Sequence, residues 1–185
     1  MKFILKLVDI LDEKESVLHK VSTEVSFPLD KKYLDLIDDA YEYLRLSQDD
    51  KKCEELDLRP GMGLAFCQLG VLKRIFIISY KNEDGSFTEY TVINPKLISY
   101  SNELIYVEEG EGCLSVNREV EGIVPRHARI TVGFYDINGN YKEERVREEI
   151  SVAFQHEMDH LDGIMFTDRI DKDNPYKDMD KMRSI

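Results

Sequence analysis

Between Glu148 and Leu161 the chain reads EEISVAFQHEMDHL, and this stretch constrains the fold more than any other. Glu148 and Glu149 suit the positive end of a helix dipole, and Gly163 suits a C-terminal cap, so the stretch predicts an α-helix. Within it stand His156, Glu157 and His160 in H-E-x-x-H spacing. Four residues are about one helical turn, so both imidazoles share a face and can grip one metal ion, with Glu157 on an adjacent part of that face. A catalytic metal site generally takes three protein ligands and keeps one position open. The chain must therefore bring a third ligand to this helix from elsewhere.

The downstream sequence does not supply it by the commoner patterns. The extension H-E-x-x-H-x-x-G-x-x-H is matched through Gly163 but has Phe166 at its last position, and no glutamate follows Glu157. Upstream, His127 or a cysteine remains. The three cysteines, Cys53, Cys67 and Cys113, are odd in number and irregularly spaced, which argues against a disulfide framework and for a reducing compartment such as the cytoplasm. Among them Cys113 follows Gly110 and Gly112, which permit a close backbone approach to a metal. Cys53 and Cys67 read as ordinary thiols, and His19 and His127 as surface or hydrogen-bonded side chains.

Elsewhere the pattern alternates between helix and strand without a regular βαβ order. Leu34, Ile37, Tyr41 and Leu44 recur at three- and four-residue spacing, predicting an amphipathic helix from Asp30 to about Leu46 with Asp30 as its cap. The polar SQDDKKCEELDLRPG reads as a loop, Lys73–Tyr80 as a strand, Asn82–Gly85 as a turn, and Thr88–Ile98 as a strand interrupted by Pro95. Alternating Ile130, Val132 and Phe134 lead through Asn138-Gly139 into YKEERVRE, a hairpin. The charged tail from Asp168 reads as peripheral. These elements predict an α+β fold: mostly antiparallel strands around the histidine-bearing helix, with an N-terminal helix, in a single domain over 1–185.

Several function classes are excluded at this level. A net charge of -12 disfavours nucleic acid, and no apolar run is long enough to cross a membrane. The start, MKFILKLVDILDEKES, has its apolar stretch broken by Lys6 and Asp9, unlike a signal peptide.

Three segments together resemble the signature motifs of peptide deformylases. Gly61–Gln68 (GMGLAFCQ) is similar to the first, G-x-G-L-A-A-x-Q, with Phe66 where a second alanine is usual; Glu111–Ser115 (EGCLS) and His156–His160 (HEMDH) resemble the second and third. The EGEGCLSV form and the polar segment before the first motif resemble the second bacterial type. The resemblance implies a Cys113/His156/His160 metal site, with Fe²⁺ as the physiological ion and Zn²⁺, Ni²⁺ or Co²⁺ as possible occupants. It implies Glu157 as the acid/base, and Gln68 and the Leu114 backbone N–H as stabilisers of the formyl oxygen. Gly61 and Gly63 then let a loop lie beside an extended substrate, while Met62, Val152 and Ala153 are candidate walls of a methionine pocket. The implied substrates are N-formyl-methionyl nascent peptides, met in transient contact with the ribosome.

Overall fold

The computed structural model describes residues 5–185, so the first four residues of the leading apolar stretch lie outside it. Along the chain come α1 (Lys31–Ser47), α2 (Asp50–Glu55), β1 (Gly63–Ala65), β2 (Ile75–Lys81), β3 (Phe87–Tyr100) and β4 (Leu104–Tyr106). After a long irregular segment follow β5 (Arg126–His127), β6 (Arg129–Tyr135), β7 (Tyr141–Arg147), α3 (Glu148–Leu161), α4 (Phe166–Arg169) and β8 (Arg183–Ser184). The fold is mixed α and β. Its main sheet runs β1-β2-β3-β6-β7, every pair antiparallel, and β4 is flanked by β5 and β8 in a smaller sheet.

Strand β2 explains the layering. Its start, Ile75–Ile78, is apolar at every position rather than alternating, which is what a strand covered on both faces requires. Ile75 and Ile77 join Ile37, Ala40, Tyr43 and Leu44 of α1 in one core. Phe76 and Ile78 point the other way, into a core with Ala153, Phe154 and Leu161 of α3. The Phe154 ring meets Phe76 and Tyr90 edge-on at centroid distances of 5.3 and 5.2 Å, fixing the roll of α3 against the sheet.

The expected elements appear with informative differences. Asp30 caps α1 by accepting from Lys32 N, but the buried stripe is Ile37, Ala40, Tyr43 and Leu44, with Leu34 exposed. The predicted loop after α1 contains α2, capped by Asp49 accepting from Lys52 N; its six residues bury nothing, so no apolar period announces it. Pro95 does not interrupt β3. The β3–β6 register slips between Ile93 and Lys96, beside the left-handed Asn94 (φ 50°), and this bulge absorbs the residue that cannot donate. The tail is docked: β8 pairs in parallel with β4, and Arg183 bridges Glu103 and Glu148.

Candidate active site

Helix α3 runs from the β7 edge toward the chain's interior, and Gly163 in the left-handed conformation (φ 73°) ends it. The helix carries His156 and Glu157 into the wall of a cavity of about 560 Å³ between β1 and the segment 107–116, with His160 buried one turn further along. There the Cys113 Sγ and ring nitrogens of His156 and His160 all lie within 4.8 Å of one another. Cys113 Sγ is 3.3 Å from His160 Nε2. One thiolate and two imidazoles, gathered in this way with an opening to the cavity, suit zinc, iron or another late first-row divalent ion.

A chain of buried charges sets the His156 ring. Its Nδ1 is 2.8 Å from Glu111 Oε2, leaving Nε2 for the site. Arg126, only 2% exposed, grips Glu111 at 2.7 and 2.9 Å and Asp159 Oδ2 at 2.6 Å. Arg169 on α4 closes the far end with two 2.6 Å bonds to Asp159. Burial alone would raise the Glu111 pKa, but Arg126 and His156 outweigh it and hold it near 2. Glu111 therefore stays a carboxylate.

Glu157 is in the opposite situation. Burial pushes its pKa up to about 7, and its Oε2 has no hydrogen-bond partner among the described residues. A Cβ built at Gly63 would overlap Glu157 Oε1 and come within 2.9 Å of its carboxyl carbon, so only glycine fits there without moving the acid. At Gly61 the corresponding atom would lie 2.9 Å from Leu114 Cδ1. Both glycines thus permit close packing of the first segment on the other two.

Gln68 is oriented by its own neighbourhood. Ala65 N donates to its Oε1 at 2.9 Å, which turns Nε2 toward Ser115 Oγ (3.1 Å) and Cys113 Sγ (3.6 Å). Ser115 N also donates to Cys113 Sγ, at 3.4 Å. Gly61, Met62, Gly63, Leu114, Val152 and Ala153 line the same cavity. His127 lies outside it, its Nδ1 2.8 Å from Ser101 O and its ring stacked on Tyr100; His19 bonds to Glu13 O. Cys53 Sγ donates to Leu58 O, and Cys67 is buried with its thiol pushed up to about 12. Sequence reasoning gave no role to Glu111, Arg126, Asp159 or Arg169. Glu111 lies in the second signature segment and Asp159 in the third, whereas nothing local marks Arg126.

The family model described as polypeptide deformylase matches residues 7–176. The chain belongs to the polypeptide deformylase family. It is a hydrolase that removes the N-formyl group from the N-terminal formyl-methionine of newly made polypeptides, releasing formate. The chain is 40% identical over 182 residues to peptide deformylase 2 of Bacillus cereus, covering 98% of this chain and 99% of that one. It is 45% identical over 170 residues to a peptide deformylase of Shouchella clausii, covering 91% and 93%. The crystal structure of class I type b peptide deformylase from Acinetobacter baumannii with Met-Ala-Ser bound is similar at a TM-score of 0.70 and 28% identity, covering 92% of this chain and all of that one.

Proposed function

We propose that Cys113, His156 and His160 hold one divalent ion and that Glu157, Gln68 and Leu114 carry out the proton transfer and charge stabilisation of deformylation. The convergence of three ligand atoms within 4.8 Å, beside a buried carboxylate with one oxygen unpartnered among the described residues, carries this reading. When bound, the ion lowers the pKa of water and polarises the formyl carbonyl. Glu157 takes the proton from the attacking water and later gives it to the departing amine nitrogen, a role its buried carboxyl group beside the ligand cluster can fill. Gln68 Nε2 and Leu114 N donate to the formyl oxygen as its negative charge grows.

Gly61, Met62 and Gly63 lie along the extended peptide, and Met62, Val152 and Ala153 wall the methionine side chain. A relative solved with Met-Ala-Ser bound supports a site for a peptide that begins with methionine. Because Gly63 sits against Glu157, Gly63→Ala is expected to turn the carboxylate aside: kcat for a formyl-Met peptide falls roughly tenfold or more with metal content near one per chain. Native kcat in that variant would detach Gly63 from the acid.

Helix α3 is, in this reading, the centre around which the antiparallel strands are arranged, and 1–185 is one catalytic domain whose pocket walls span Gln48 to Glu157. Among the described residues no helix is long and apolar enough to cross a membrane. Three free cysteines and a nascent-chain substrate favour the cytoplasm, in transient contact with the ribosome and without direct nucleic-acid binding. We assign Fe²⁺ as the native ion, with Zn²⁺, Ni²⁺ or Co²⁺ able to replace it. Protein purified without air should carry iron on elemental analysis and release formate. On storage in air, activity should fall and oxidised Cys113 should appear in peptide mass spectra, while a nickel-loaded sample keeps most of its activity. Equal decay of the two forms, or damage confined to Cys53 or Cys67, would refute the iron assignment.

A further inference from the structure

Arg59 stands two residues before Gly61 and is half-buried on the pocket wall. Its guanidinium pairs with no carboxylate among the described residues and instead donates to three main-chain carbonyls. Nη1 reaches Val116 O at 3.0 Å, while Nη2 reaches Cys113 O at 2.9 Å and also Leu114 O. Its backbone is anchored to α1, because the hydroxyl of fully buried Tyr43 donates to Arg59 O at 3.2 Å and accepts from Arg59 N at 3.4 Å.

The identity of these carbonyls is what matters. The Cys113 carbonyl belongs to the peptide unit whose other end is the Leu114 N–H. The Leu114 carbonyl belongs to the unit whose other end is the Ser115 N–H, which donates to Cys113 Sγ. A cation on an amide oxygen draws electron density from the nitrogen and strengthens the N–H as a donor, as in any cooperative hydrogen-bond chain. Arg126 has its charge matched by Glu111 and Asp159, but Arg59 keeps its charge available to the two amides. Only the planar guanidinium fork spans carbonyls from Cys113 to Val116 at once; a lysine ammonium is a single point.

We propose that Arg59 is a positioning residue that fixes the Cys113–Val116 turn and polarises two of its amides, sharpening Leu114 N–H toward the formyl oxygen and Ser115 N–H toward the Cys113 sulfur. This rests on the reading of Cys113 as a ligand and of Leu114 N–H as a donor to substrate.

The test compares Arg59→Met and Arg59→Lys with the parent protein. Zinc-loaded samples are read by amide ¹⁵N–¹H shifts, cobalt-loaded samples by the thiolate-to-cobalt absorption band, and both by kcat and KM. In Arg59→Met the Leu114 and Ser115 amide signals should move upfield, with the α3 amides unmoved and the cobalt band shifted. Its kcat should fall roughly tenfold, with KM changed far less. Arg59→Lys should lie between, and Arg59→Ala supplied with ethylguanidinium should recover part of kcat. Native kcat and unmoved Leu114 and Ser115 signals in Arg59→Met would overturn the proposal; should that variant not fold, the same native values in Arg59→Lys would do so. A parent cobalt form without the thiolate band would overturn the ligand reading and this proposal with it. A parent band that persists unshifted in variants with native kcat overturns the proposal alone.

Discussion

Replacing Glu157 with glutamine is expected to leave a folded protein with one metal ion per chain and to lower kcat by roughly 10²- to 10⁴-fold, the usual worth of a positioned acid/base. The exchange keeps size and removes the group that, in the proposed mechanism, accepts the proton. Because one buried oxygen of Glu157 has no partner among the described residues, losing its charge removes no hydrogen bond on that side and should not loosen α3. The loss should therefore appear in kcat and kcat/KM together, with peptide affinity little changed. Formate release and elemental analysis on the same sample check it. Native turnover in Glu157→Gln would mean that another group moves the proton.

Cys113→Ala should act at an earlier stage, on metal binding itself. In the proposed site it deletes one of three ligands and the thiolate, and even disturbing the groups behind a ligand typically costs 10- to 100-fold in affinity, so a larger loss is expected. The fold should persist: the two cores that sandwich the main sheet are apolar, and Cys113 only packs against one of them from the outside. Metal per chain after dialysis and the circular dichroism spectrum separate the two effects. Full occupancy with native activity in Cys113→Ala would remove the cysteine from the site.

How much of this was legible in the sequence depended on whether the signal was local. Helix α3 carries its own dipole residues, cap and histidine spacing, so its bounds match the expected ones from Glu148 to Leu161. The β6–β7 hairpin was likewise legible, because alternation and Asn138-Gly139 act within a few residues. The six-residue α2 fully buries none of its side chains, so it carries no apolar period to find. Strand β3 passed through Pro95 only because a bulge at Asn94, formed against β6, takes up the irregularity. For the site, Cys113 drew attention through its flanking glycines, yet a Cβ at Gly112 would meet nothing within 4 Å, so close approach is not what that glycine provides. Its place beside the histidines was legible through the three motifs taken together. Arg126 and Arg169 were not legible, since their meaning lies in contacts with Glu111 and Asp159 across 15, 33 and 10 residues of chain.

The run of alternating charges behind His156, buried except for Arg169 at its outer end, also restricts how this enzyme can diverge. Glu111, Arg126, Asp159 and Arg169 form a sequence of minus, plus, minus and plus in which each inner member is held by two neighbours. Removing any one of the buried members strands a charge in the interior, at a cost of about 3–5 kcal/mol, whereas removing a matched pair need not. Substitutions at these positions are therefore strongly epistatic, and single-step mutational paths out of the present arrangement pass through a destabilised intermediate. A mutagenesis library aimed at the metal site should treat the four positions as one unit and spend its diversity on the pocket wall at Met62 and Val152, where no such bookkeeping of charge applies.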